Sequence, residues 1–400
     1  MKILAVNAGS TSVKLSLFDM PVGAAIAQCN CQRVGLGGGN ISYKAGAEKS
    51  VIEYDMPDHG AALRKVISLF CEGAGAVISD IAQIGAVTHR ISMGGPDLRG
   101  TVFASDSVLD TAEKYAAIAP LHNPPQVSAI RACRKLFGEG VPMTVGFDTA
   151  FHATMPPESF RYPIPKEYLD NYQVRRYGFH GLSYQFVTER FAALTGCDFS
   201  DHRMVVCHLG GGASVTAVKN GRSAANSFGF GTGQGLPCAT RCGDIDTTAV
   251  GYIMERTGMD FHQVLEILHK KSGLLGLSGI SGDEKELEEA AEKGDADAMF
   301  ALSYFTRQIK KYIGAYAFDM GGLDALVFTG GIGENSELIR EMSCDGLESF
   351  GIKLDCEKNR SMNRKEARVS TTGSVVDIWI IPTNEELVLA QDTYKLLGNS

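Results

Sequence analysis

Two strand–turn–strand segments that echo each other 202 positions apart constrain this chain of 400 residues more than any other feature. Near the N-terminus, residues 3–6 form a short apolar run and Asn7-Ala8-Gly9-Ser10-Thr11-Ser12 a turn of small polar residues. Val13, Leu15 and Leu17 then alternate with Lys14 and Ser16 in a returning strand. Near the middle, Val205-Val206-Cys207 leads into Gly210-Gly211-Gly212 and out through Ser214-Val215-Thr216-Ala217-Val218. Gly9, Ser12 and Val13 match Gly211, Ser214 and Val215 at the one offset. A looser pair follows in the same order in each half: residues 84–88 run into His89-Arg90 and Gly94-Gly95, and residues 325–329 run into Gly330-Gly331-Ile332-Gly333. Glycine turns after strands are common, but the shared order of both pairs makes duplication the better account, and both glycine stretches read as turns.

Between the strands lie helical spacings, as in Met299, Leu302, Phe305, Ile309, Tyr312, Ile313 and Tyr316, so the chain reads as α/β. Its length exceeds one ordinary core and favours two domains. Thr383-Asn384-Glu385-Glu386 fits a capping box, with Thr383 as N-cap and Glu386 at N3, opening a last helix. The acidic run 284–292 reads as a solvated helix face. A formal charge of −8 repels nucleic acid and anionic membrane surfaces, so neither is an expected partner. No window approaches the roughly 18 apolar residues of a membrane span, and the N-terminus lacks a signal-peptide core, so a cytoplasmic protein is expected. The ten cysteines read as reduced, mostly buried thiols; Cys29 with Cys31, or Cys238 with Cys242, lacks the second pair that a zinc site needs.

Several residues have the right chemistry for a phosphate. The turn at residues 7–12 offers backbone N–H groups and hydroxyls with Lys14 close behind, which suits an anion but also describes an ordinary polar hairpin. The stretches 210–212 and 330–333 let backbone approach a ligand closely because glycine has no Cβ; neither matches a P-loop or dinucleotide fingerprint. Arg90 and Arg241, each beside glycine turns, can clamp a phosphoryl group or form surface salt bridges. His180, in Tyr177-Gly178-Phe179-His180-Gly181, can donate to developing charge or be an ordinary buried histidine. Asp148, after an apolar strand, can organise a cation or orient a nucleophile.

Taken in order, these stretches carry a resemblance. The motifs are residues 7–14, Ala119-Pro120-Leu121-His122-Asn123-Pro124, residues 146–152, Arg175-Arg176-Tyr177-Gly178-Phe179-His180-Gly181, Thr240-Arg241-Cys242-Gly243-Asp244-Ile245-Asp246, residues 328–335 and Pro382-Thr383-Asn384-Glu385-Glu386. Through them the chain resembles, almost end to end, the acetate kinase family, the group that includes propionate and butyrate kinases. The resemblance implies a duplicated two-domain α/β fold of the actin and sugar-kinase (ribonuclease H-like) type, with an interdomain active-site cleft and a homodimer. It places an N-terminal domain at residues 1–150, rejoined by a helix at 385–400, and a C-terminal domain at 151–384 for nucleotide binding and dimerisation. It implies transfer of phosphate from ATP to a short-chain carboxylic acid, reversibly and in line, with Mg2+ or alternatively Mn2+. Arg90, Asp148, His180 and Arg241 would be catalytic. Asn7, Ser10, Ser12 and Lys14 would line the phosphate path, joined at the nucleotide by His208, Gly210, Gly211, Gly212, Asp283, Gly330, Gly331, Gly333 and Asn335. Asn7 and Glu385, with Asp148, would manage the metal. A carboxylate acceptor is already ionised at pH 7 and needs no strong general base; cancellation of negative charge is what the reaction requires. A same-fold kinase acting on a hydroxyl, and a nucleotide switch without turnover, are the competing readings.

The chain departs from the family at the acid pocket, where Leu121 and Phe179 are retained but Ser92 replaces valine and Thr232 replaces proline. Two hydroxyls without partners would each cost roughly 1 to 3 kcal/mol, so an acid more polar than acetate is one expectation; hydroxyls satisfied by local backbone is the other. On the nucleotide side Gly211 replaces asparagine, and Asp283-Glu284-Lys285 replaces Asp-Phe-Arg, which leaves the phosphoryl donor open among ATP, another nucleotide and pyrophosphate.

Overall fold

The computed structural model describes residues 1–73, 75–119 and 122–398. They form two compact units, Met1–Phe151 with Asn384–Ser400 and His152–Thr383.

The first unit is built on strands β1 (Lys2–Ala8), β2 (Ser12–Asp19), β3 (Ala24–Gln32), β4 (Asn40–Ala45), β5 (Glu48–Glu53), β6 (Ile84–Ile91), β7 (Val102–Phe103) and β8 (Met143–Phe147). Their order is β5-β4-β3-β2-β1-β6-β8-β7, with β1, β6 and β8 parallel and the β1–β5 meander antiparallel. Residues 3–6 are apolar without alternation because both faces of β1 are covered. Leu4 and Val6 point into a core with Leu15, Val87, Val145 and Ile130, while Ile3 and Ala5 meet Phe18, Ala86 and Ala390. Ala390 belongs to the last helix, Glu385–Gly398.

The second unit uses β9 (Arg203–His208), β10 (Ser214–Lys219), β11 (Arg222–Asn226), β12 (Ala325–Thr329), β13 (Ala367–Arg368) and β14 (Asp377–Ile380), ordered β11-β10-β9-β12-β14-β13. A parallel trio, β9, β12 and β14, again adjoins an antiparallel hairpin. The helix Ala296–Met320 packs Leu302, Phe305, Ile309 and Ile313 inward as its spacing predicts, but Met299 is exposed.

Four readings are corrected by the packing. The two hairpins are not equal: Val13 faces Ala8, whereas Val215 faces Cys207, so the second turn is longer and only the returning strands keep the common offset. Gly330–Asn335 is a short helix rather than a turn, and β6 runs on to Ile91, so Arg90 lies in a strand. The last helix is capped one residue later than its box predicts: Asn384 Oδ1 accepts from Leu387 N at 3.1 Å, because Glu386 turns to Asn7 and Thr383 N donates to Glu334. Within the acidic run Glu284 is buried, beside buried Leu287.

Candidate active site

In the first unit the end of the β1–β2 hairpin and the C-terminal ends of β6 and β8 bring polar residues together, because parallel neighbours finish at one sheet edge. Arg90 donates to both oxygens of Asp148, from Nε at 2.8 Å and Nη2 at 2.5 Å. Its Nη1 donates to Asn7 Oδ1 at 3.1 Å, and Asn7 Nδ2 donates to Glu386 Oε1 at 3.3 Å. Glu385, at the start of the last helix, approaches Arg90 Nε at 3.9 Å. Burial works against the Arg90 charge, but Asp148 and Glu385 outweigh it and hold the guanidinium firmly protonated. Burial pushes the Glu385 carboxyl up to about 7; Arg90 pulls it down, while Asp148 and Glu386 raise it further. The cluster is therefore rich in carboxylates for its cations.

Lys14 sits opposite Asn7 across the hairpin and is exposed. Ser10 is exposed at the tip, and Ser12 accepts from Gly9 N through its carbonyl at 2.8 Å. His59 Nε2 bonds the Gly9 carbonyl at 2.8 Å and steadies that turn. Ser92 is buried, and its hydroxyl accepts from Gln126 Nε2 at 3.1 Å while its backbone N–H donates to Gln126 Oε1 at 2.9 Å. Leu121 lies outside the described residues. Gln126 and Asn123, which bonds Met93 N and O, hold the chain after β6. Asn123 was visible inside a matched motif, whereas Gln126 gave no sequence signal.

The second unit gathers the opposite charge. His180 has a left-handed backbone, φ 60, at the N-terminus of the helix Gly181–Thr195, a strained geometry for a residue with a Cβ. Its Nδ1 bonds Ser214 Oγ at 2.9 Å, and Tyr184 Oη meets the same hydroxyl at 2.6 Å. The His180 ring lies 4.1 Å from that of His208, whose Nδ1 bonds Ser183 Oγ at 2.8 Å. Buried Phe179 precedes it, its carbonyl accepting from His152 Nε2 at 2.9 Å. Burial drops the His152 pKa to about 4, so the ring is neutral; Nε2 donates and Nδ1 accepts from Ser223 Oγ. Arg241 lies over Phe228 at 5.6 Å.

Gly212 shows where these groups converge. A Cβ there would stand 2.6 Å from Arg241 Nη2 and 3.5 Å from His180 Nε2, so guanidinium and imidazole both close on its backbone. Among the described residues Arg241 forms no ion pair with a carboxylate. Leu209 N donates to the Thr329 carbonyl at 2.8 Å, and the Leu209 carbonyl accepts from Ile332 N at 2.7 Å and Gly333 N at 3.2 Å, pinning the long turn to the helix Gly330–Asn335. Gly330 has φ 77, and a Cβ on it would meet the Leu209 carbonyl at 2.7 Å, so glycine is required there. Gly211 and Gly331 are open to solvent, Gly210 approaches Gly331 N, and Asn335 Nδ2 folds back on the Gly331 carbonyl. Asp283 caps its helix through Lys285 N at 2.9 Å. Thr232 lies half-buried in a loop held by Tyr162, which bonds Gln234 and Phe230. Ser214 was visible in sequence only as part of the repeat, and Ser183 and Tyr162 carry no distinctive signal.

One unit gathers carboxylates around an arginine, and the other brings a guanidinium that forms no ion pair among the described residues, together with an imidazole, to an open glycine turn; these are the parts of a phosphotransferase. Residues 2–391 match the Acetokinase family. Acetate kinase of Dictyoglomus thermophilum is 44% identical over 399 residues, covering 100% of both chains, and acetate kinase of Thermotoga maritima is 42% identical over 99% of each. Among solved structures, Porphyromonas gingivalis acetate kinase superposes with a TM-score of 0.93 at 39% identity over 99% of both chains. A propionate kinase from Francisella tularensis gives 0.91 at 33% identity over 98% of both. The chain belongs to the acetokinase family, phosphotransferases with a carboxyl group as acceptor.

Proposed function

We propose that this protein transfers the terminal phosphoryl group of ATP to the carboxylate of a short-chain acid, acetate included, giving ADP and an acyl phosphate. The carboxylate oxygen forms the new P–O bond as the bond to the ADP oxygen breaks; no proton has to be removed. The observation that carries this reading is the convergence of Arg241 and His180 on Gly212, where the Arg241 guanidinium forms no ion pair with a carboxylate among the described residues. Arg90, locked on Asp148, adds a second guanidinium in the same reaction. The bidentate ion pair also bears on acceptor type. Asp148 is fully engaged by Arg90, so it is a poor general base, which favours an ionised acid over a sugar hydroxyl. Incubation with acids and donors, scored by hydroxamate formation, tests this. Acyl hydroxamates with acetate or propionate and ATP are expected; phosphorylation of hydroxyls alone, or nucleotide binding without transfer to any acid, would replace it.

Mg2+ fits the first unit. Its donors are all oxygens, and Glu385 is driven towards protonation by burial and by neighbouring carboxylates, a condition that a hard cation relieves. Asn7 and Glu385 would hold the ion, which when bound neutralises nucleotide phosphate charge. Mn2+ suits the same donors.

Ser92 already accepts from Gln126, which weakens the case for a polar acid there, while the Thr232 hydroxyl has no protein hydrogen bond among the described residues. We therefore place acetate and propionate ahead of hydroxy-acids. ATP is placed ahead of other donors. A homodimer through the second unit is supported by exposed Phe318 and Phe350, which line an apolar groove of about 470 Å³; sedimentation velocity checks it. No helix among the described residues is long and apolar enough to cross a membrane, in keeping with a cytoplasmic enzyme.

A further inference from the structure

The β2–β5 meander has one face in the core, with Val13, Leu15, Cys31, Ile41 and Tyr43; on its other face Phe18, near the end of β2, packs with Ala390 of the last helix, and beyond it the face is mainly polar. Strand register sorts that outer face into rows. Lys14, Asn30 and Ser42 lie side by side on β2, β3 and β4; two residues along, Ser16, Gln28, Lys44 and Lys49 lie side by side from β2 to β5. Together they line a basin of about 530 Å³. A solvated strand face normally mixes charge signs, yet this one collects three lysines in a chain of net charge −8, with Glu386 the one acidic lining residue. Among the described residues none of the three ammonium groups forms an ion pair, and the amides of Gln28 and Asn30 have no hydrogen-bond partner.

We propose that this basin is a second anion site, for a small molecule carrying two phosphate groups, and that its occupant competes with the catalytic corner for Lys14. Lys44 and Lys49 are directly opposed across β4 and β5, about 5 Å apart at Cβ, and can grip one phosphate. Lys14 lies two strands and two residues away, roughly 12 Å along the diagonal from strand and residue spacings, which calls for a second charged end. Lysines serve as point charges for phosphate, whereas a carboxylate is better matched by the arginine fork this basin lacks. The Asn30 and Gln28 amides lie between the two ends and suit the oxygens of a linking skeleton. Coupling follows from shared residues: Lys14 and Glu386 line the basin, Glu386 accepts from Asn7, and Lys14 pairs with Asn7 across the hairpin. Only this coupling clause rests on the proposed function; the site itself does not.

Calorimetric titration of the full chain with fructose 1,6-bisphosphate, in parallel with citrate, tests the site without any turnover. One-to-one binding is expected, weakened about a hundredfold in K44Q/K49Q, at roughly tenfold per lost charge-assisted contact, and about tenfold in N30D. Neither variant should change kcat without the probe, and the probe should raise the KM for ATP in the unaltered chain but not in K44Q/K49Q. Unaltered binding in K44Q/K49Q or no binding at all overturns the site. Tighter binding of citrate overturns its ligand class, and a KM blind to the probe overturns the competition for Lys14. An enzyme inactive on every acid that still binds the probe through Lys44 and Lys49 would sink the proposed reaction and leave this site standing.

Discussion

The two hairpins share a strand–turn–strand design and differ in the charge gathered at their tips. The tip of β1–β2 is short and polar, and it leans on a cluster in which Asp148, Glu385 and Glu386 surround Arg90. The tip of β9–β10 is longer and glycine-rich, and it lies under His180 and under Arg241, which forms no ion pair with a carboxylate among the described residues. Arg90 is structural, because a buried carboxylate depends on it, whereas Arg241 has no carboxylate partner among the described residues. The two hairpins share their strands, which the cores need, and differ in their turns, which the cores do not see.

That contrast breaks most visibly at the arginines. Arg90→Ala and Arg241→Ala should each cut kcat by about a thousandfold, the scale of losing a guanidinium from phosphoryl transfer. Only Arg90→Ala should also lower unfolding stability, by about 3 kcal/mol, since it strands buried Asp148. Equal stabilities by urea unfolding would erase the distinction. The turns come next. Gly330→Ala, at φ 77 against the Leu209 carbonyl, should cost about 2 kcal/mol or more and weaken nucleotide binding. Gly9→Ala, where a Cβ would press on the Ser12 hydroxyl at 2.9 Å and meet the Ser12 carbonyl only at 3.6 Å, should cost less than about 1 kcal/mol.

A smaller difference is one of pH. Glu284 in the second unit is pushed from 4.5 up to about 9 by burial, with Glu288 adding to the rise. The folded protein keeps a proton there that the unfolded chain releases, so the stabilisation is complete below about pH 4.5 and drains away as pH climbs towards 9. Thermal unfolding across that window should show stability falling as pH rises, a fall flattened in Glu284→Gln; an unchanged slope would place the charge elsewhere. Smallest of all is the cap of the last helix. Asn384→Ala should cost about 1 kcal/mol, and Thr383→Ala close to nothing, because its hydroxyl has no hydrogen-bond partner among the described residues.

Some of this was legible in sequence because it is local or periodic. Strands 3–6 and 205–207 announced themselves as apolar runs, the long helix by its spacing of three and four, and Arg90, Asp148, His180 and Arg241 by glycine-punctuated motifs. What failed had a common cause. Glu284 and the cap residue escape a local reading because periodicity and capping rules describe an isolated helix, whereas these positions answer to neighbours distant in sequence; Met299 fits the spacing but lies exposed. Glu386 is the plainest case: its local role is to cap a helix, but Asn7, 379 residues away, claims it.

The sequence by itself determined the α/β class, the repeated strand–turn–strand design and the family, since these reside in composition, period and ordered motifs. Tertiary structure alone decided which arginine is paired and which is free, that the Ser92 hydroxyl is satisfied by Gln126, and that three lysines from three strands share one basin. The reason is physical: pairing, burial and electrostatic partnership depend on distances through space, and those exist only once the sheets have set their register.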